Sequence, residues 1–213
     1  MNNKPLPTRF TVKPLALLVP IASLALVSSF ASAQVPDPEN ISAPTYTSVF
    51  IFDDTYNNVT VTSSGSIQTG MGPAISVGKG GALPGGILNQ GILSAPSYTG
   101  ISVFSSGAIV PSIQNSGVIN VFGNFGHGGT GILIGDGSQV GSIDNTGAIQ
   151  ASASYTGDAG IGISITNGSQ VGSISNSGTI DGDILLHEGS QVTGAISNSG
   201  LIDGEVYVSD YPS

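Results

Sequence analysis

From about residue 48 onward, apolar and polar positions alternate in short runs, never in helix-length stretches. Ile132 and Ile134 flank Leu133, and Ile163 and Ile165 flank Ser164, so the β-branched residues recur at even separations. Even spacing puts them on one face of an extended strand, whereas a helix would space them by three and four. Gly, Asn, Ser and Asp punctuate the runs and β-branched residues fill them, which predicts many short strands separated by turns.

The runs come in sets of three. The first is G-I-x-I. The second centres on G-S-Q-V, with Val140, Val171 and Val192. The third is I-x-N-[S/T]-G-x-I, with its isoleucines at 113/119, 143/149, 174/180 and 196/202. The set is a true repeat: residues 131–149 and 162–180 agree without gaps at thirteen of nineteen positions. Diverged copies occupy 49–67, 74–93 and 100–119, another spans 183–202, and residues 205–209 open a seventh.

Repeat length selects the architecture. The glycine of the third run falls at 65, 91, 117, 147, 178 and 200, in steps of 26, 26, 30, 31 and 22. Steps of this size suit one coil of a three-sided solenoid. Hairpin-connected sandwiches would show turns every ~8–12 residues. The expected fold is therefore all-β: a parallel right-handed β-helix of about six to seven coils, with three short strands per coil. Stacked coils place equivalent residues about 4.8 Å apart, so each inward aliphatic rests on its counterparts above and below. Asn89, Asn115, Asn145, Asn176 and Asn198 then form a structural ladder whose amides donate and accept along the rod. Gly91, Gly117, Gly147, Gly178 and Gly200, two residues on, are expected to take a left-handed backbone conformation.

Coil length varies mainly between the third run of one unit and the first run of the next. That connection is three residues at 181–183 and 203–205, six at 68–73 and 94–99, and eleven at 120–130 and 150–160. Insertions gathered at one corner of a solenoid are natural places for recognition. They carry Tyr98, Phe122, Phe125, His127 and Tyr155 as candidate ligand-contact residues.

The first 33 residues follow another plan. Lys4, Arg9 and Lys13 precede a largely apolar run from Leu15 to Phe30, which ends in Ala31-Ser32-Ala33. A basic start, a short apolar stretch and small residues before a cut describe a cleavable secretory signal peptide. The expected domain plan is a signal peptide at 1–33, an irregular segment at 34–47, the solenoid at 48–209 and a tail at 210–213. Cleavage leaves Lys79 as the one basic residue against thirteen carboxylates, a net charge of −12. Such a chain offers nothing to neutralise phosphate, so nucleic acid and anionic membranes are not expected partners, nor is membrane insertion of the mature chain. The absence of cysteine leaves the fold to packing and hydrogen bonds.

Few groups of residues suggest chemistry. Asp181, Asp183, Asp203 and Glu205 would stack on adjacent coils, where four carboxylates are weak candidates to hold Ca²⁺ or to act as an acid/base pair. A short exposed turn in an acidic protein has the same composition, and the turn is the preferred reading. His127 and His187 have no repeated Asp or Cys partner, which leaves a zinc site unsupported. No Ser/His/Asp arrangement stands out. The expectation is a non-enzymatic chain without a cofactor.

The iterated G-S-Q-V-G-S-I-x-N-[S/T]-G-x-I resembles the passenger regions of bacterial autotransporters over about residues 48–209. That resemblance implies a right-handed β-helix displayed outside the outer membrane and an adhesion-type role, with host-cell, matrix or glycan ligands, or self-association. The sequence departs from the family in showing no C-terminal translocator barrel before Tyr211-Pro212-Ser213. The expected location is the cell surface or medium if a translocator is supplied, and the periplasm otherwise. Two other readings stand beside it: a polysaccharide-acting enzyme using the stacked carboxylates, and a remnant of a disrupted autotransporter gene.

Overall fold

In the computed structural model, residues 39–53, 55–96, 98–123, 129–153 and 160–209 are described. They form a right-handed parallel β-helix of about seven coils, with three strands per coil and no helix among the described residues. No helix is therefore long and apolar enough to cross a membrane among these residues. Each coil crosses three parallel sheets in turn. In the central coils the first sheet holds Ile109–Asn115, Gln139–Asn145 and Gln170–Asn176. The second holds Val118–Gly123, Ala148–Ala153 and Thr179–Asp181, and the third Thr99–Phe104, Thr130–Gly135 and Ile161–Ile165.

Register is set by the repeat itself. Val110, Val140 and Val171 stack in the first sheet, followed by Ile113, Ile143 and Ile174. Ile119, Ile149 and Ile180 stack in the second sheet, and Ile101, Ile132, Ile163 and Ile184 in the third. These side chains are buried and form one continuous core. Each contributes roughly 1.5–3 kcal/mol of burial before chain entropy is subtracted.

The strand boundaries differ from the runs read in the sequence. The I-x-N-[S/T]-G-x-I run does not form one strand. Its front half continues the G-S-Q-V strand, as in Gln139–Asn145, and its back half opens the second sheet at Ala148. The asparagine marks the corner between them, where a bend is compatible with the Asn–Gly pair but not with continued extension. The solenoid also starts earlier than residue 48. Glu39–Ile41 pairs with Val59–Val61, and Pro44–Thr45 with Ser66–Gln68, so part of the segment expected to be irregular is already a coil.

The asparagine ladder forms as expected. The Nδ2 of Asn89, Asn115, Asn145 and Asn176 each donates to the Oδ1 of the next asparagine, at 2.7 Å in all four steps. The same amides donate to backbone carbonyls across the corner, as Asn145 does to Thr179 at 3.0 Å. The four donors are buried, so each link replaces water that the amide has lost.

The paired glycines have a different cause from the one expected. None of Gly91, Gly117, Gly147, Gly178 or Gly200 is left-handed. A Cβ on Gly147 would instead sit on the carbonyl oxygen of Gly117 one coil earlier, and the same holds at each step from Gly91 to Gly200. Close stacking of corner backbones, not a positive φ, requires glycine there. Left-handed residues occur at the corner between the third and first sheets: Asp136-Gly137, Asn167-Gly168 and Glu188-Gly189 have φ of 53 and 72°, 54 and 69°, and 57 and 72°.

Candidate binding surfaces

The acidic corner is built where Thr179–Asp181 passes into Asp183–His187, and where Leu201–Asp203 passes into Val206–Ser209 one coil later. Asp181 and Asp203 are in register on neighbouring strands. The Asp183 carboxylate is engaged by the chain itself, its Oδ1 accepting the backbone N–H of Glu205 at 2.8 Å. Asp181, Asp203 and Glu205 are exposed and Asp183 is half-buried. Among the described residues no three His, Cys, Asp or Glu side chains converge as a metal site. The geometry is that of a tight link between two sheets, tied by one side chain to the next coil. The imidazole of His187 stands 3.7 Å from the Glu188 carboxylate, while the Oε2 of Glu188 accepts the hydroxyl of Thr166 at 2.5 Å.

The connection corner is shorter than the sequence reading implied. The first residues of 120–130 and of 150–160 continue second-sheet strands to Gly123 and Ala153. Phe122 therefore lies on a strand, exposed and in register with Ser152, and not in a loop. Tyr98 is exposed just before Thr99–Phe104. Phe125, His127 and Tyr155 lie outside the described residues.

A surface that the sequence reading did not single out lies on the outer face of the third sheet. Between the inward Val49 and Ile51 stands Phe50, which heads a register row of Ser76, Ser102, Leu133, Ser164, Leu185 and Tyr207. Phe50 stacks on Phe52, with ring centroids 5.8 Å apart and planes inclined by 21°. The Phe52 ring occupies the space a side chain on Gly78 would need, and Phe104 covers Gly135 in the same way. A phenylalanine on one coil thus lies flat across a glycine on the next. Tyr46, Tyr98 and Phe122 border this face on the connection corner or on the strand leading to it. Of the described aromatics only Tyr56 is packed against the core; the other seven are 41 to 76% exposed. The alternation Val49-Phe50-Ile51-Phe52 was the available signal, since in an alternating strand the second and fourth residues must point outward.

Comparison of the chain with protein-family models, with curated proteins and with solved structures finds no match.

Proposed function

We propose that the chain is an exported, non-enzymatic surface module of adhesion type, comparable to an autotransporter passenger, that binds through the aromatic face of the third sheet and its adjoining corner. One observation carries this reading. Six large aromatic side chains remain exposed along the third sheet and the corner that leads into it, with Phe122 on the adjoining second-sheet strand, while the interior is filled almost wholly by aliphatics. Exposed apolar surface gathered in one region marks contact with a partner more often than scattered apolar residues do. Flat aromatic rings suit the apolar faces of sugars or the side chains of a matrix or host-cell protein. The acidic charge of the chain argues against nucleic acid.

The test uses protein produced from the full chain in a bacterial host. Its mass is expected to place the mature N-terminus at Gln34. Binding to cultured cells and to immobilised matrix proteins is then compared with that of a Phe50→Ser/Phe104→Ser variant. Binding lowered at least tenfold, with an unchanged circular dichroism spectrum, supports the reading. Equal binding by the two proteins would discard it.

One observation favours a second reading. The in-register pair Asp181 and Asp203 sets two carboxylates on neighbouring coils, and a carboxylate-based polysaccharide hydrolase works with two such groups. Hydrolysis of a polysaccharide that disappears in both Asp181→Asn and Asp203→Asn would establish it.

A further inference from the structure

We propose that the outer face of the first sheet carries a separate binding site, an uncharged groove for a neutral glycan strand running along the rod axis. In Gln139–Asn145 both Val140 and Ile143 point inward, with Gly141 and Ser142 between them. Strict alternation would allow only one residue there, so the strand bends and its outer surface dips. The bend repeats in register through Gln170–Asn176. The result is an open depression of about 280 Å³ across successive coils.

Its floor is glycine backbone, and the packing keeps it free of side chains. A Cβ on Gly141 would meet the carbonyl of Pro111, and one on Gly172 the carbonyl of Gly141. Gln139 and Gln170 line one side, in register with each other, and Gln191 continues their row one coil further on. Ile109 precedes them in the same row. Thr193 lies at the far end of the depression. No ionisable side chain lines it.

The chemistry of this lining selects its occupant. The main chain here is already hydrogen-bonded within a seven-level sheet, so a peptide cannot add as a strand on this face. Primary amides each donate and accept, which matches hydroxyl groups that do the same. They recur at one per coil, about 4.8 Å apart. An extended sugar chain advances by a similar distance per residue, so successive hydroxyls can meet successive glutamines. Ile109 and Pro111 offer an apolar patch for the C–H face of a ring. An anionic polymer has no cation to meet. A bare glycine floor lets the sugar approach the backbone closely.

The experiment titrates the protein made from the full chain, by calorimetry, with four neutral hexasaccharides: β-1,4-linked glucose, mannose and xylose, and α-1,4-linked glucose. At least one is expected to bind, and its affinity is expected to fall tenfold or more in Gln139→Ala/Gln170→Ala. Both glutamines are exposed, so that variant should keep the wild-type unfolding temperature. Phe50→Ser/Phe104→Ser should leave this affinity within twofold, because its substitutions lie on another sheet. Binding of none of the four overturns the proposal. So does binding that survives the glutamine substitutions, or binding lost through the phenylalanine pair instead.

Discussion

The two corners that bound the second sheet obey opposite rules. Where the first sheet meets the second, the distance between core residues does not change: Ile113 to Ile119, Ile143 to Ile149, Ile174 to Ile180 and Ile196 to Ile202 span the same interval. Where the second meets the third, the interval runs from Ile180–Ile184 at its shortest to Ile149–Ile163 at its longest. The fixed corner is held twice, by an amide ladder buried in the rod and by backbones too close to admit a Cβ. The variable corner has no repeated hydrogen-bonded side chain of that kind among the described residues. The first two coils lack the ladder residue. In the second coil Val61 stands in register with Asn89, and Thr62 to Gly65 make that corner two residues longer than its equivalents in the later coils. The coil before it keeps the short corner at Ser42 and Ala43 although Ile41 stands in register with Val61, so losing the asparagine permits a longer corner without requiring one. A solenoid thus separates the corner that keeps register from the corner that can accept new sequence.

Moving an insertion from one corner to the other should give the largest contrast. Gly-Ser-Gly placed between Thr146 and Gly147 breaks the ladder and the stacking together, and is expected to abolish a single cooperative urea transition. The same insert between Gly123 and Gly129 lengthens a connection that already varies. It should cost under about 1 kcal/mol, since loop entropy grows slowly with length.

Next in size are substitutions of glycine. Gly147→Ala forces a methyl group onto the Gly117 carbonyl, and is expected to cost at least ~3 kcal/mol in urea unfolding, as severe overpacking does. Gly137→Ala, at a left-handed position with open space around it, should cost only about 1–2 kcal/mol. Equal losses would show that stacking at the fixed corner is looser than described.

Smaller again is the difference between the middle and the end of the ladder. Asn145→Leu leaves one N–H of the Asn115 amide and the Oδ1 of Asn176 without their ladder partner, at about 1–3 kcal/mol for each buried group. Asn89→Leu breaks one link, and the Oδ1 it removes already lacks a partner. Its cost should be near half that of Asn145→Leu, read from the same unfolding curves.

The fold was legible because one unit is written almost unchanged in successive coils. Ile143 and Ile174 must share an environment if their flanking residues are nearly the same, and stacking in register is the simplest way to give them one. The pairing of Asn with Gly was legible for the same reason. Its mechanism was not: a positive φ and a forbidden Cβ both select glycine, and only backbone coordinates separate them. The division of the I-x-N-[S/T]-G-x-I run also escaped, because inward residues on either side of a corner look like residues along one strand. Surface function was the least legible. Phe50, Phe52 and Phe104 sit in diverged coils where the repeat is hardest to align, and their common face appears only once the third sheet is assembled. The groove was hidden for another reason, since Gly141 and Gly172 read as spacers until their neighbours across coils are known.

The asparagine ladder has a direction. Every link runs the same way, from the Nδ2 of one coil to the Oδ1 of the next. The column therefore has an unspent acceptor at Asn89 and, at Asn198, a donor that reaches only the Gly200 carbonyl at 3.3 Å. Turning over any one interior amide would set donor against donor on one side and acceptor against acceptor on the other. The five side chains are thus locked into a common orientation and polarise one another along the line. Their aligned dipoles give the β-rod a weak electrical polarity of the kind usually associated with helices, carried by side chains in place of the backbone.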